Sequence, residues 1–62
     1  MKYRIAKYKD VYYVQGLNKD GIWGDVGIMN GVIPHFHILE DARIWVNELS
    51  GGKYEPEVIE IK

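Results

Sequence analysis

Between Leu39 and Leu49 the apolar residues return at the spacing of one helical face: Leu39, Ala42, Trp45, Val46 and Leu49 share a side at about 3.6 residues per turn. Glu40, Asp41, Asn47 and Glu48 fall on the other side. Acidic residues at the start suit the positive end of the helix dipole, and Ser50-Gly51-Gly52 provides a glycine for a left-handed exit. The stretch from Phe36 to Gly52 therefore predicts one amphipathic helix. Ile44 interrupts the polar side; it is either an ordinary exposed isoleucine or a contact for a partner.

The remainder of the chain reads as strands. Tyr3 to Tyr8 and Val11 to Leu17 are rich in tyrosine and β-branched residues, and Lys9-Asp10 joins them as a tight antiparallel pair. Pairing Tyr8 with Val11 puts Tyr3, Ile5 and Lys7 opposite Gly16, Val14 and Tyr12 on one face, with Arg4, Ala6 and Tyr8 opposite Gln15, Tyr13 and Val11 on the other. In Asn18-Lys19-Asp20-Gly21 the asparagine opens a type I turn and Gly21 takes the positive-φ place in the adjoining bulge. A third strand is expected over Ile22 to Met29. Asn30-Gly31 suits a further hairpin between Met29 and Val32, which Pro34 opposes, so Val32 to His37 reads as a short edge strand or an extended approach to the helix. Glu57-Val58-Ile59-Glu60-Ile61 is a last strand. The expected fold is α+β: a three- or four-stranded antiparallel sheet with one helix on one face, ordered β-β-β-α-β, in one domain over 1–62. No repeat, low-complexity segment or linker divides it.

Both faces of that sheet are apolar. If Ile5, Tyr12 and Val14 lie beneath the helix, then Tyr8, Val11, Tyr13, Trp23 and Met29 remain on the far side with nothing in so short a chain to cover them. Either the tyrosines lie flat with their hydroxyls in water, or a second subunit or another protein buries the face. The candidate partner interface is accordingly Tyr8, Val11, Tyr13, Trp23, Met29 and Ile44. A second copy of the chain has two routes, the sheet face or the C-terminal strand.

Length and composition narrow the remaining classes. At 62 residues the core is small and burial alone is marginal. There is no cysteine, which removes disulfides, thiolate metal sites and cysteine nucleophiles together and agrees with a reducing, cytoplasmic setting. Met1-Lys2-Tyr3-Arg4-Ile5 has no following apolar run of the kind a secretory signal needs, and no segment is long enough to span a bilayer. The formal net charge is -1, but five cations against Asp10 make the first 19 residues +4, while the rest carries three cations and eight carboxylates, or -5. Ends of opposite sign can steer a charged partner or an antiparallel self-association.

Catalytic groups are scarce. There is no threonine, and the one serine, Ser50, sits where the helix ends, so hydrolase triads are excluded and no enzymatic activity is expected. His35 and His37, two apart on an extended segment, share a face and make half of a metal site that Glu40, Asp41 or another subunit would have to complete. Beside Pro34 they read more simply as a polar edge, and neither a metal nor a cofactor is assigned. Asp20, Asp25, Glu55, Glu57 and Glu60 fall in turns or on exposed strand positions without the spacing of an acid and base pair. Gly21-Ile22-Trp23-Gly24 and Gly24-Asp25-Val26-Gly27 lack the lysine and the strand-to-helix setting of a phosphate loop. Arg4, Lys7, Lys9 and Tyr13 interleave cations with an aromatic ring on the hairpin, which suits phosphate contact and base stacking and provides the alternative reading, a nucleic-acid-binding module.

With Tyr12-Tyr13-Val14-Gln15 before it, Phe36-x-x-Leu39-Glu40-Asp41-Ala42-x-x-Trp45-Val46 resembles a recurring kind of small phage or mobile-element protein, in which a small sheet is followed by a helix of this pattern. It is similar, more distantly, to the arm-binding domain of tyrosine-recombinase integrases, whose sheet lies in a DNA groove. The resemblance covers residues 3–49. It implies a phage-like origin and a role in binding and blocking a host protein, including components of bacterial immunity, in the host cytoplasm. Two departures stand out: Ile38 occupies the place of the usual capping threonine or serine, and the sheet lacks the dense arginine and lysine of the DNA-binding members.

Overall fold

The structure, a computed structural model, describes residues 2–28, 30–52 and 54–61. Strands β1 (Tyr3–Tyr8), β2 (Val11–Leu17) and β3 (Trp23–Asp25) are followed by helix α1 (Leu39–Ser50) and strand β4 (Glu57–Ile61). They form an α+β fold in which α1 packs on a four-stranded sheet of order β3-β2-β1-β4. The first hairpin has the register its turn dictates, Tyr8 opposite Val11 through Tyr3 opposite Gly16. At the second turn the Asn18 carboxamide oxygen accepts from the amides of Asp20 and Ile22, both at 2.9 Å, and Gly21 has φ 78°. That is the asparagine-opened turn with a glycine bulge that the sequence predicts.

The third strand is shorter than Ile22 to Met29. It ends at Asp25; Val26 N–H still donates to Val14 O at 3.1 Å, and at Gly27, with φ 79°, the chain turns and lies against Trp45. Asn30 (φ 52°) and Gly31 (φ 77°) both turn left-handed, as a two-residue hairpin turn requires, but the expected pairing partner Met29 lies outside the described residues. Val32 to His37 form no named strand, and Phe36 makes an antiparallel bridge with Tyr12. Tyr12 N–H donates to Phe36 O at 2.7 Å and Phe36 N–H donates to Tyr12 O at 2.9 Å.

The sheet is mixed: β4 runs parallel to β1, with Ile5 beside Val58 and Ala6 beside Ile59. The antiparallel arrangement expected for all strands therefore fails at the last one, and the reason is directional. β1 and β3 point the same way because β2 reverses between them, and a single helix then carries the chain back, so the following strand repeats the direction of β3 and β1.

Of the two sheet faces, either of which the sequence allows, helix α1 covers the one that carries Ile5, Tyr12 and Val14. Ile5, Val14, Ala42 and Val46 are fully buried, and Tyr3, Tyr12, Val26, Phe36, Leu39, Trp45 and Tyr54 pack around them. Leu49, the last residue of the predicted stripe, is 37% exposed. The N-terminal residue Ile38 is extended (φ −121°, ψ 125°) and provides no side-chain cap, while Gly51 (φ 74°) closes the other end, with Gly51 and Gly52 N–H bonding to Glu48 and Asn47 carbonyls. Asn47 Oδ1 accepts from Tyr54 N–H at 2.8 Å, and the Tyr54 hydroxyl accepts from Tyr3 N–H at 3.2 Å. These two bonds tie the helix exit to β1 and aim the chain into β4.

Candidate functional site: the uncovered face of the sheet

Strand alternation sends Arg4, Ala6 and Tyr8 of β1 away from α1, together with Val11, Tyr13, Gln15 and Leu17 of β2. The β3 pairing adds Trp23 and Asp25, and the parallel β4 pairing adds Glu57, Ile59 and Ile61. Among the described residues no helix or strand lies over this face.

Its centre is nevertheless closed. Ala6 is 1% exposed although it points away from the helix, so the side chains of its own face must roof it. Its cross-strand neighbours are Tyr13 on one side and Ile59 on the other, both half-buried. Small Ala6 between two large residues lets Tyr13 and Ile59 lean inward and cover it. Toward the first hairpin the face is more open, with Tyr8 43% and Ile61 40% exposed beside Val11. The Lys9 ammonium lies 5.5 Å from the Tyr8 ring centre.

The other end of the face is polar. Arg4 stacks over Trp23 at 4.3 Å and donates from Nε to Gln15 Oε1 at 2.8 Å, and its neighbours across the strands include Glu57 beside it and Asp25 beyond Gln15. This end is a fixed cation set between carboxylates.

The Tyr12–Phe36 bridge determines the edge. Phe36 faces the core, its ring centre 5.6 Å from that of Trp45, so the residues on either side of it, His35 and His37, face the opposite way. The His35 ring lies 6.2 Å from Tyr13 and 5.6 Å from His37, perpendicular to the latter. The two histidines share a face, as their spacing predicts. Among the described residues no third histidine or carboxylate joins them, so Glu40 and Asp41 do not complete the set.

Of the predicted interface, Tyr8, Val11, Tyr13 and Trp23 come together on the outer face, and Met29 lies outside the described residues. Ile44 is 50% exposed on the side of α1 turned away from Ala42 and Val46, so the whole layer of the helix stands between it and the sheet. One flat partner cannot touch both. Of the predicted nucleic-acid contacts, Arg4 and Tyr13 are on the outer face and Lys9 is at its hairpin end. Lys7 is on the helix face, its ammonium 6.0 Å from the Tyr12 ring. Ile59 and Ile61 join the outer face unforeseen. Alternation within Glu57 to Ile61 was readable, but assigning Ile59 and Ile61 to a face required the partner strand and its direction.

A shallow hollow of about 270 Å³ lies at Gly16 and Gly24, which pair without side chains between Asn18, Ile22, Asp25 and Val26. Among the described residues Asp25 is the one titratable group lining it. No helix among the described residues is long and apolar enough to cross a membrane. Comparison with protein-family models, curated proteins and solved structures finds no match to this chain.

Proposed function

We propose that this chain is a non-catalytic protein–protein interaction module that docks through the outer face of its sheet, and that it serves as a phage-encoded inhibitor of a host or bacterial-defence protein in the host cytoplasm. The observation that supports docking is the row Tyr8, Val11, Tyr13, Ile59 and Ile61, an aromatic and aliphatic surface over which, among the described residues, no helix or strand lies. Its composition suits a partner core, with tyrosines giving large contact area at low entropic cost. Arg4, Asp25 and Glu57 at one end would form the polar rim. The phage and anti-defence part of the reading rests on the resemblance of the Phe36-to-Val46 motif.

The experiment is sedimentation of the purified chain together with capture from host lysate, using a Tyr8→Lys/Ile61→Lys variant as control. A protein held by the native chain and released by the variant supports the proposal. A chain that stays monomeric and holds nothing ends it.

The alternative, a nucleic-acid module, draws support from Arg4 stacked on Trp23 and from Lys9 beside Tyr8. It predicts binding that weakens steeply with salt. Absence of a gel shift at low ionic strength removes it.

A further inference from the structure

We propose that His35 and His37 form a two-imidazole site for a late first-row divalent cation of the zinc, nickel and copper(II) class. Three features of the edge support this. First, the backbone between the rings is held in place: both hydrogen bonds of the Tyr12–Phe36 bridge are made, and Phe36 is anchored against Trp45. The two imidazoles therefore leave the chain on one side without the ordering cost that a flexible loop would have to meet. Second, His35 Nδ1 lies 3.3 Å from the Ile33 carbonyl oxygen. A carbonyl can only accept, so in the tautomer with its proton on Nδ1 this contact is a hydrogen bond and the Nε2 lone pair is left free. A ring whose second nitrogen donates to a backbone carbonyl is the usual state of a metal-ligating histidine, with tautomer and orientation set before the ion arrives. Third, the spacing fits. With metal–nitrogen bonds of about 2.1 Å and a near-tetrahedral angle, two ligating rings have centres about 5 Å apart, against 5.6 Å here. The rings are perpendicular at that spacing, and rotation of the exposed side chains is what brings the two nitrogens onto one ion.

The donor set defines the ion class. Neutral imidazoles favour borderline cations over calcium or magnesium, which prefer oxygen. Two protein ligands leave the other coordination positions open to water or to a donor from a bound partner. The Tyr13 ring at 6.2 Å from His35 forms an aromatic wall beside the site.

The test is a titration of the full chain with zinc chloride, followed by the imidazole NMR resonances and by competition with a chelating dye. Both rings are expected to shift together on a single saturable curve, and His35→Gln or His37→Gln alone is expected to weaken binding at least tenfold. Both side chains are exposed, and an unchanged amide spectrum in each variant verifies the fold. Movement of one ring only, or zinc binding by the His35→Gln/His37→Gln double variant at the native affinity, overturns the proposal.

Discussion

A Cβ atom on Gly27 would stand 2.5 Å from Cη2 of Trp45 and 2.8 Å from its Cζ2. The indole thus lies directly on the backbone of the segment leaving β3, at a residue with φ 79°. Gly27→Ala combines a left-handed conformation, costing about 1 kcal/mol, with overpacking worth about 1–3 kcal/mol. Gly24 has no atom within 4 Å of an added Cβ and no positive φ. Urea unfolding should show Gly27→Ala losing about 2–4 kcal/mol while Gly24→Ala stays near native. Equal losses would mean that the Trp45 contact does not matter.

The helix start is suboptimal in a correctable way. Ile38 is exposed and has extended dihedrals, and its carbonyl already accepts from Asp41 and Ala42 N–H at 3.1 and 3.4 Å. A side-chain oxygen there can satisfy a free amide of the first turn, so Ile38→Ser or Ile38→Asp should raise stability by about 1 kcal/mol. An unchanged urea midpoint would show that the first turn is already satisfied by other means.

Ile5 tests how little core this fold can lose. It is fully buried between the sheet and α1. At 62 residues a domain of ordinary stability per residue has about 3–9 kcal/mol in total, and Ile→Ala at a buried site removes about 2–5 kcal/mol. Ile5→Ala should therefore lose a large part of the total, about 2–5 kcal/mol, and melt at a clearly lower temperature by circular dichroism, whereas Ile5→Val should lose only about 1 kcal/mol.

The two sides of the molecule separate the interface residues by experiment. Tyr8→Lys and Ile61→Lys change the open end of the outer face, and Ile44→Lys changes the far side of the helix. Each should alter stability by less than about 1 kcal/mol. Partner capture should be lost with the first two and kept with the third. Loss on Ile44→Lys alone would move the docking surface to the helix.

Element identity was legible in local pattern: the helix from its apolar stripe and its glycine exit, the first hairpin from Lys9-Asp10, the second turn from Asn18 and Gly21. These signals sit within a few residues of what they determine, so no distant contact is needed to interpret them. The shortening of β3 is a different case. Two residues beyond its end Trp45 rests on Gly27, a contact between residues 18 apart in sequence that no periodicity reveals.

What the sequence by itself determined is the α+β order, the register of the first hairpin, and hence the two sets of residues on either side of it. Tertiary structure decided which set the helix covers and what the other set becomes. β4 docks parallel to β1 because one helix reverses the chain once, and this places Ile59 against Ala6 opposite Tyr13. The Tyr12–Phe36 bridge puts His35 and His37 on the outer side because alternation about an inward Phe36 leaves them no other. Those juxtapositions depend on long-range pairing, whose geometry is set only once the sheet and helix have packed together.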